Sequence, residues 1–173
     1  MNEILDIKPS PRLLQVLGDI PLQNWQCLAE LIDNSLDELL KQPDRTASNP
    51  LVVDISFERD ASGGAAIVVR DNGAGMTAQE LERSLRAGHS SKGRYGTLGL
   101  FGMGFNIATA RLGDVTTVET TVAGAGERLS TTIDFAVLQR EESFAVPLVR
   151  ANCSATESGT TVRIKLKRAV AED

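Results

Sequence analysis

The sequence predicts a two-layer α/β sandwich of the α+β class, in which helices cover one face of a single sheet. Two or three helical patterns come early in the chain, and a run of strand-like segments comes late. The length of 173 residues is enough for about one domain with a core of its own. No internal repeat or low-complexity tract interrupts this order.

The composition is that of an ordinary globular domain, with 42% hydrophobic and 24% charged residues. A net charge of −5 argues against direct nucleic-acid binding by this segment, although it leaves room for a local basic patch. Cys27 and Cys153 match neither a metal-binding spacing nor a disulfide framework, so we expect reduced thiols and a cytoplasmic location. We find no signal peptide and no apolar run long enough to cross a membrane.

Helical patterns account for four segments. Their spacing and end signals place them at 12–18, 22–41, 77–86 and 105–112. Thr77 and Glu80 open the third helix with the spacing of a capping box. Gly113 closes the fourth, and it is followed by the strand-rich part of the chain.

Strand-like runs account for six further segments. They cover 51–58, 65–71, 114–122, 127–135, 143–149 and 160–167. The sequence Ser-Gly-Gly forms the turn between the first two. The last run should lie in the middle of the sheet.

The long helix carries a stripe of polar side chains with no basic residue to offset them. Glu30, Asp33, Asn34 and Asp37 fall within a narrow arc, and the apolar residues roughly opposite should pack on the sheet; these are Trp25, Leu28, Ile32, Leu36 and Leu39. The simplest interpretation is a solvated acidic face. The alternative is a cation, and Mg²⁺ fits because it takes few protein oxygen ligands and completes its shell with substrate phosphates.

The sequence DNGAGM, residues 71–76, follows an apolar strand and is typical of a turn. A functional interpretation places Asp71 at the mouth of a pocket, where its carboxylate accepts a hydrogen bond from the amine of adenine. Guanine presents an acceptor oxygen at that edge, so Asp71 would select adenine. Gly73 and Gly75 would let the backbone approach the flat base closely.

Glycines crowd the segment GTLGLFGMGFN, residues 96–106, immediately before the fourth helix. Backbone N–H groups at such a junction can bind an anion, although glycines alone indicate only a flexible loop. Lys92, just upstream, could add a positive charge for a phosphate. The pattern is neither a Walker A loop nor a Rossmann fingerprint. Further on, Gly159 and Thr160 open the last strand, and the Thr160 hydroxyl could reach a base or a bound water.

These four signals occur in a specific order: E-x-x-x-N-x-x-D, D-x-G-x-G-M, G-x-x-G-x-G-F, and G-T before a strand. In that order they resemble the GHKL superfamily of ATP-binding domains, which includes the DNA gyrase B subunit, the ninety-kilodalton heat-shock chaperones, histidine kinases and MutL. The segment FGMGFNIATARLG is most similar to MORC-type and chaperone-type members. The resemblance covers residues 12 to 167.

The resemblance implies a Bergerat-type ATP-binding fold, with a mixed, mostly antiparallel sheet covered on one face by helices. The whole chain, 1–173, would form one such domain, with an N-terminal arm at 1–20 and a glycine-rich ATP lid at 86–103. It would be the N-terminal part of a longer protein.

The resemblance also assigns roles to individual residues. Glu30 would be the general base that activates water, Asn34 the Mg²⁺ ligand, and Asp37 an acidic position near the metal's waters. Asp71 would bind adenine. The remaining positions would line the base or contact phosphate: Gly75 and Met76 beside the base, Thr160 through a water, Lys92 from the lid, and Leu100, Phe101, Gly102, Met103, Gly104 and Phe105 at the phosphate turn.

The implied activity is slow, Mg²⁺-dependent hydrolysis of ATP to ADP and phosphate, coupled to lid closure and homodimerisation. In gyrase, MutL and the chaperones a following domain directs a cation onto the γ-phosphate, so turnover here would need a downstream transducer domain or a partner.

The alternative is a nucleotide-gated dimerisation module with negligible hydrolysis. A scaffold that binds no nucleotide is the third interpretation. The histidine-kinase branch fits poorly because Glu30 is present. Chaperone, DNA-topology and MORC-like roles all share this core.

Overall fold

The computed structural model describes residues 10–40, 50–59, 64–86 and 103–171. Its helices are α1 Arg12–Leu17, α2 Asn24–Leu40, α3 Ala78–Leu85, α4 Gly104–Leu112, α5 Phe135–Arg140 and α6 Arg168–Ala171. Its strands are β1 Val53–Arg59, β2 Ala65–Asp71, β3 Gly113–Thr121, β4 Glu127–Asp134, β5 Leu148–Asn152 and β6 Gly159–Leu166.

The strands form one six-stranded sheet in the order β1-β2-β6-β3-β4-β5. Every pairing between them is antiparallel. The predicted α+β class is therefore confirmed, and β6, the last strand of the chain, lies inside the sheet as expected. This position matters for the site because it brings Gly159 and Thr160 beside the end of β2.

In the described part of the chain, helices cover one face of the sheet and leave the other open. Along β3 the side chains of Thr116, Val118 and Thr120 are buried, in the alternation expected of a strand with one covered face. The largest core cluster joins α2 and α4 to the central strands; it contains Cys27, Leu31, Ile67, Val69, Ala108, Leu112 and Ile164. Among the described residues no helix is both long and apolar enough to cross a membrane.

Two helix boundaries form as the sequence predicts. The Thr77 side chain accepts a hydrogen bond from the backbone N–H of Glu80, and the Glu80 carboxylate accepts one from the backbone of Thr77. At the end of α4, the backbone N–H of Gly113 donates to the carbonyl of Thr109. The capping box is local in sequence, whereas Gly113 also allows a close approach to β6, since a Cβ there would lie 2.2 Å from the carbonyl oxygen of Lys165.

The predicted strand at 143–149 is wrong, because the strand at this edge runs from Leu148 to Asn152. The chain first turns into α5, which the sequence did not indicate. The Asp134 carboxylate accepts hydrogen bonds from the backbone N–H groups of Ala136 and Val137, and this cap starts a helix in a stretch for which the sequence analysis predicted no element beyond residue 135.

The face of α2 that packs on the sheet also differs from the prediction. Trp25 is 68% exposed and Leu36 is 38% exposed, whereas Cys27, Leu31 and Ser35 are buried. The reason is that α2 packs against α4 as well as against the sheet, so its buried arc is rotated away from the most hydrophobic stripe.

Candidate functional site

Asp71, the last residue of β2, has its carboxylate held by three donors. One oxygen accepts hydrogen bonds from the backbone N–H groups of Gly73 at 2.8 Å and Thr160 at 3.1 Å. The other accepts from the hydroxyl of Ser35 at 3.2 Å. These donors come from three different segments, so the side chain is fixed in direction, and the second oxygen keeps acceptor capacity for a ligand.

Ser35 is a site residue that the motif analysis missed. It follows Asn34 on α2 but lies on the buried side of the helix, where its hydroxyl reaches Asp71. The signal was present in the sequence, since Ser35 falls four residues after Leu31 on the helical repeat. A hydroxyl at a core position needs a buried partner, and here that partner is the predicted adenine-binding carboxylate.

Thr120 of β3 is the second residue that the motifs did not indicate. Its hydroxyl oxygen lies 2.9 Å from the backbone nitrogen of Met76, 3.3 Å from the carbonyl oxygen of Gly159 and 3.1 Å from the hydroxyl oxygen of Thr160. It thus connects the turn after β2 to the start of β6. Met76 and Thr160, both predicted to line the base, are brought together through it.

Gly75 has a packing role that the sequence analysis did not indicate. Its φ is +74°, and a Cβ added there would lie 1.9 Å from the backbone carbonyl oxygen of Thr121. The glycine lets the turn after β2 pack directly on β3. The close contact that leaves no room for a side chain at position 75 is therefore with the protein's own backbone at Thr121.

Glu30 and Gly104 meet at the other end of the site. A Cβ on Gly104 would lie 2.0 Å from a carboxylate oxygen of Glu30, so the first residue of α4 must lack a side chain for Glu30 to lie there. The N-terminus of a helix presents unpaired backbone N–H groups and a partial positive charge, which favours anions. The predicted general base is thus placed beside the predicted phosphate-binding turn.

The other predicted residues of this end are distributed unevenly. Asn34 is exposed, and Asp37 is only 6% exposed. The side chains of Met103 and Phe105 pack against core clusters, so a phosphate contact at these residues would come from the backbone. Lys92, Leu100, Phe101 and Gly102 lie outside the described residues, as does most of the predicted lid.

The oxygen donors of α2 suit a metal ion that takes most of its ligands from a bound substrate and water. The described ranges contain no group of three or more His, Cys, Asp or Glu side chains placed to hold a metal ion. Asn34 supplies a neutral oxygen beside carboxylates, which fits Mg²⁺ taking its other ligands from phosphate and water.

Cys27 lies one turn before Glu30 on α2 and is fully buried. Burial raises the pKa of its thiol; Glu30 raises it further, while Arg111 opposes the shift. The thiol therefore stays protonated and unreactive at neutral pH.

Comparison with known proteins agrees with this geometry. The family described as histidine kinase-, DNA gyrase B- and HSP90-like ATPases matches residues 22–160. The chain belongs to this family. The predicted GHKL membership is thereby confirmed, and membership supports ATP binding.

Relatives in Arabidopsis thaliana confirm the MORC-type branch. Protein MICRORCHIDIA 3 is 30% identical over 131 residues, which are 73% of this chain and 21% of that protein. Protein MICRORCHIDIA 7 is 34% identical over 87 residues, or 49% of this chain and 11% of that protein. Protein MICRORCHIDIA 4 is 36% identical over 86 residues, which are 49% of this chain and 10% of that protein. The chain thus spans about a fifth or less of these relatives.

Proposed function

We propose that this GHKL domain binds Mg²⁺-ATP and hydrolyses it slowly to ADP and phosphate. The observation that carries the proposal is the position of Glu30, whose carboxylate lies against Gly104 at the start of α4. A candidate base and an anion-binding helix terminus are therefore adjacent. The predicted base-binding carboxylate, Asp71, contacts the same helix α2 through Ser35.

The base end would recognise adenine through Asp71. Its carboxylate is already oriented by Gly73, Ser35 and Thr160, so binding would not have to order it. The exocyclic amine of adenine would donate a hydrogen bond to the Asp71 oxygen that also accepts from Ser35. Guanine would place an acceptor oxygen against an acceptor and bind less tightly.

The phosphate end would perform the chemistry. Backbone N–H groups at the start of α4 would hold the terminal phosphates, and Glu30 would orient and deprotonate the attacking water. Asn34 would hold Mg²⁺, which when bound neutralises phosphate charge. Lys92 and residues 100–102 would complete the phosphate contacts from the lid.

Calorimetric titration with Mg²⁺-ATP tests the binding part of this proposal. We expect wild-type protein to bind ATP, and Asp71→Asn to weaken binding about 100-fold, because the amide directs a donor at the amine of adenine. Asp54→Asn is the matched control, since Asp54 is an exposed carboxylate on neighbouring β1. A flat titration for wild-type protein, or equal affinity for the Asp71 variant, would refute ATP binding at this carboxylate.

We further propose that ATP drives homodimerisation. The supporting observation is on α1, where Leu13 and Val16 are 46% and 53% exposed while Leu14 and Leu17 pack in the core. An exposed apolar side on a short helix suits a protein interface. Light scattering with a non-hydrolysable ATP analogue should show a dimer, and Val16→Asp should keep it monomeric; a monomer in every wild-type sample contradicts the proposal.

A further inference from the structure

We propose that Thr120 is a positioning residue that turns Thr160 into a second hydrogen-bond acceptor for the base, and so increases selectivity for adenine over guanine. This inference rests on the proposed function. Thr120 is 1% exposed, and its hydroxyl has three neighbours within hydrogen-bonding distance.

The proton of the Thr120 hydroxyl has one assignment that satisfies all three neighbours. A hydroxyl has one donor and two acceptor lone pairs. The backbone N–H of Met76 can only donate, and the carbonyl of Gly159 can only accept. The Thr120 hydroxyl therefore donates to Gly159 and accepts from Met76, and its remaining lone pair accepts the proton of the Thr160 hydroxyl.

This assignment fixes the polarity of Thr160. Its hydroxyl proton is used on Thr120, so it offers only a lone pair to a bound molecule. The backbone N–H of the same residue donates to Asp71, which keeps the two side chains close. The exocyclic amine of adenine has two N–H groups, and two acceptors, Asp71 and Thr160, would match them by direct hydrogen bonds. The carbonyl oxygen of guanine would meet two acceptors.

Thr116, four residues earlier on β3, provides a matched comparison. It points to the same side of the sheet and is 0% exposed. Its hydroxyl has no hydrogen-bond partner among the described residues, whereas that of Thr120 has three. Replacing either threonine by valine keeps the shape and removes one buried hydroxyl, but only the change at Thr120 disturbs the base end.

The experiment measures Kd for Mg²⁺-ATP and Mg²⁺-GTP by calorimetry in five proteins: wild type, Thr120→Val, Thr120→Ser, Thr160→Val and Thr116→Val. In Thr120→Val the Thr160 proton is released and can donate to guanine, so the ATP-over-GTP preference should fall about tenfold. Thr160→Val should lower it by a similar factor. Thr120→Ser should restore the preference, and Thr116→Val should leave it within about twofold of wild type.

The outcomes separate the two proposals. If wild-type protein binds neither nucleotide, the proposed function fails. If it prefers ATP and Thr120→Val keeps that preference, only the role of Thr120 is overturned. A general loosening of the fold would weaken both nucleotides equally and leave their ratio unchanged, which also overturns it. Should Thr120→Val not fold, an unchanged ratio in Thr160→Val refutes the second acceptor on which Thr120 acts.

Discussion

The two ends of the candidate site are built by different means. At the base end, the start of β6, the turn after β2 and helix α2 direct neutral donors at one carboxylate, and a buried threonine hydroxyl connects the turn to β6. At the phosphate end, helix α2 brings the acidic residues Glu30, Asp33 and Asp37 together with Asn34, next to the start of α4. The described base end is organised by hydrogen bonds to one carboxylate, whereas the phosphate end gathers several acidic side chains on one helix.

This difference has a functional consequence. A base end that is already ordered spends little of its binding free energy on ordering side chains, so it should determine affinity and selectivity. Charge and a candidate base at the phosphate end should determine the rate of hydrolysis. Substitutions at the two ends are therefore expected to change different kinetic parameters.

The largest expected effect is at Glu30. Replacing it by Gln keeps the shape but removes the base, so kcat should fall at least about 100-fold while ATP affinity changes by no more than about threefold. Steady-state phosphate release and calorimetry give the two quantities. Asp54→Asn, at an exposed carboxylate on β1, removes the same charge away from this end and should keep kcat within about twofold.

Two other results at Glu30 would change the interpretation. Undiminished turnover in Glu30→Gln would mean that another group activates water. Negligible turnover in the wild-type protein, with ATP binding intact, would favour the nucleotide-gated dimerisation module over an ATPase.

A smaller effect is expected from Gly75, with Gly124 as its control. Their φ values are +74° and +81°, so alanine costs about 1–2 kcal/mol at each for the left-handed backbone. A Cβ at Gly75 also meets the Thr121 carbonyl oxygen at 1.9 Å, whereas a Cβ at Gly124 meets nothing within 4 Å. Urea unfolding should show Gly75→Ala to be less stable than Gly124→Ala by at least about 2 kcal/mol.

Nucleotide affinity should separate the same pair. Gly75→Ala should weaken ATP binding, because it moves the turn that leads to Met76 away from β3. Gly124→Ala should bind ATP normally. Equal stability and affinity in the two variants would mean that the contact between the turn and β3 does not organise the base end.

The smallest effect is expected at Glu157, in the loop before β6. A hydrogen bond from Arg128, aided by the backbone N–H of Ser154, lowers the pKa of the Glu157 carboxyl below its ordinary value of 4.5. A carboxyl whose pKa is lowered by folding stabilises the protein at pH values above its unfolded-state pKa. This stabilisation is lost as the pH falls through the folded-state pKa. Because both side chains are substantially exposed, the contribution is slight.

Calorimetric Tm values measured as a function of pH test this ion pair. Glu157→Gln should lower Tm slightly at pH 7, and the gap to wild type should narrow as the pH falls below 4.5. Glu141→Gln is the control, since the carboxylate of Glu141 lies 3.4 Å from the guanidinium of its sequence neighbour Arg140 and both side chains are exposed. A gap that is constant with pH would show that the carboxylate of Glu157 does not contribute through its charge.

Local patterns predicted most elements but not the faces they bury. The capping box at Thr77 formed as expected, because it depends on residues within one turn. The end of α4 at Gly113 also lies where predicted, but the glycine is required there by a close contact with Lys165 of β6. The hydrophobic stripe of α2 misplaced Trp25, because hydrophobicity along a single helix carries no information about a second helix packed beside it. The helix at 135–140 was missed because six residues are too few to show a helical repeat.

By itself, the sequence determined the fold class, the family and the motif residues such as Glu30 and Asp71, because motif spacing and periodicity are properties of contiguous chain. Only the tertiary structure decided what those residues touch. The hydrogen bonds from Ser35 to Asp71, from Met76 to Thr120 and from Thr160 to Asp71 join residues 36, 44 and 89 positions apart. Contacts over such separations are created when the sheet places its strands side by side and α2 packs over them. The helical repeat marks Ser35 only as a core position, and neither Ser35 nor Thr120 carries a local signal of its partner.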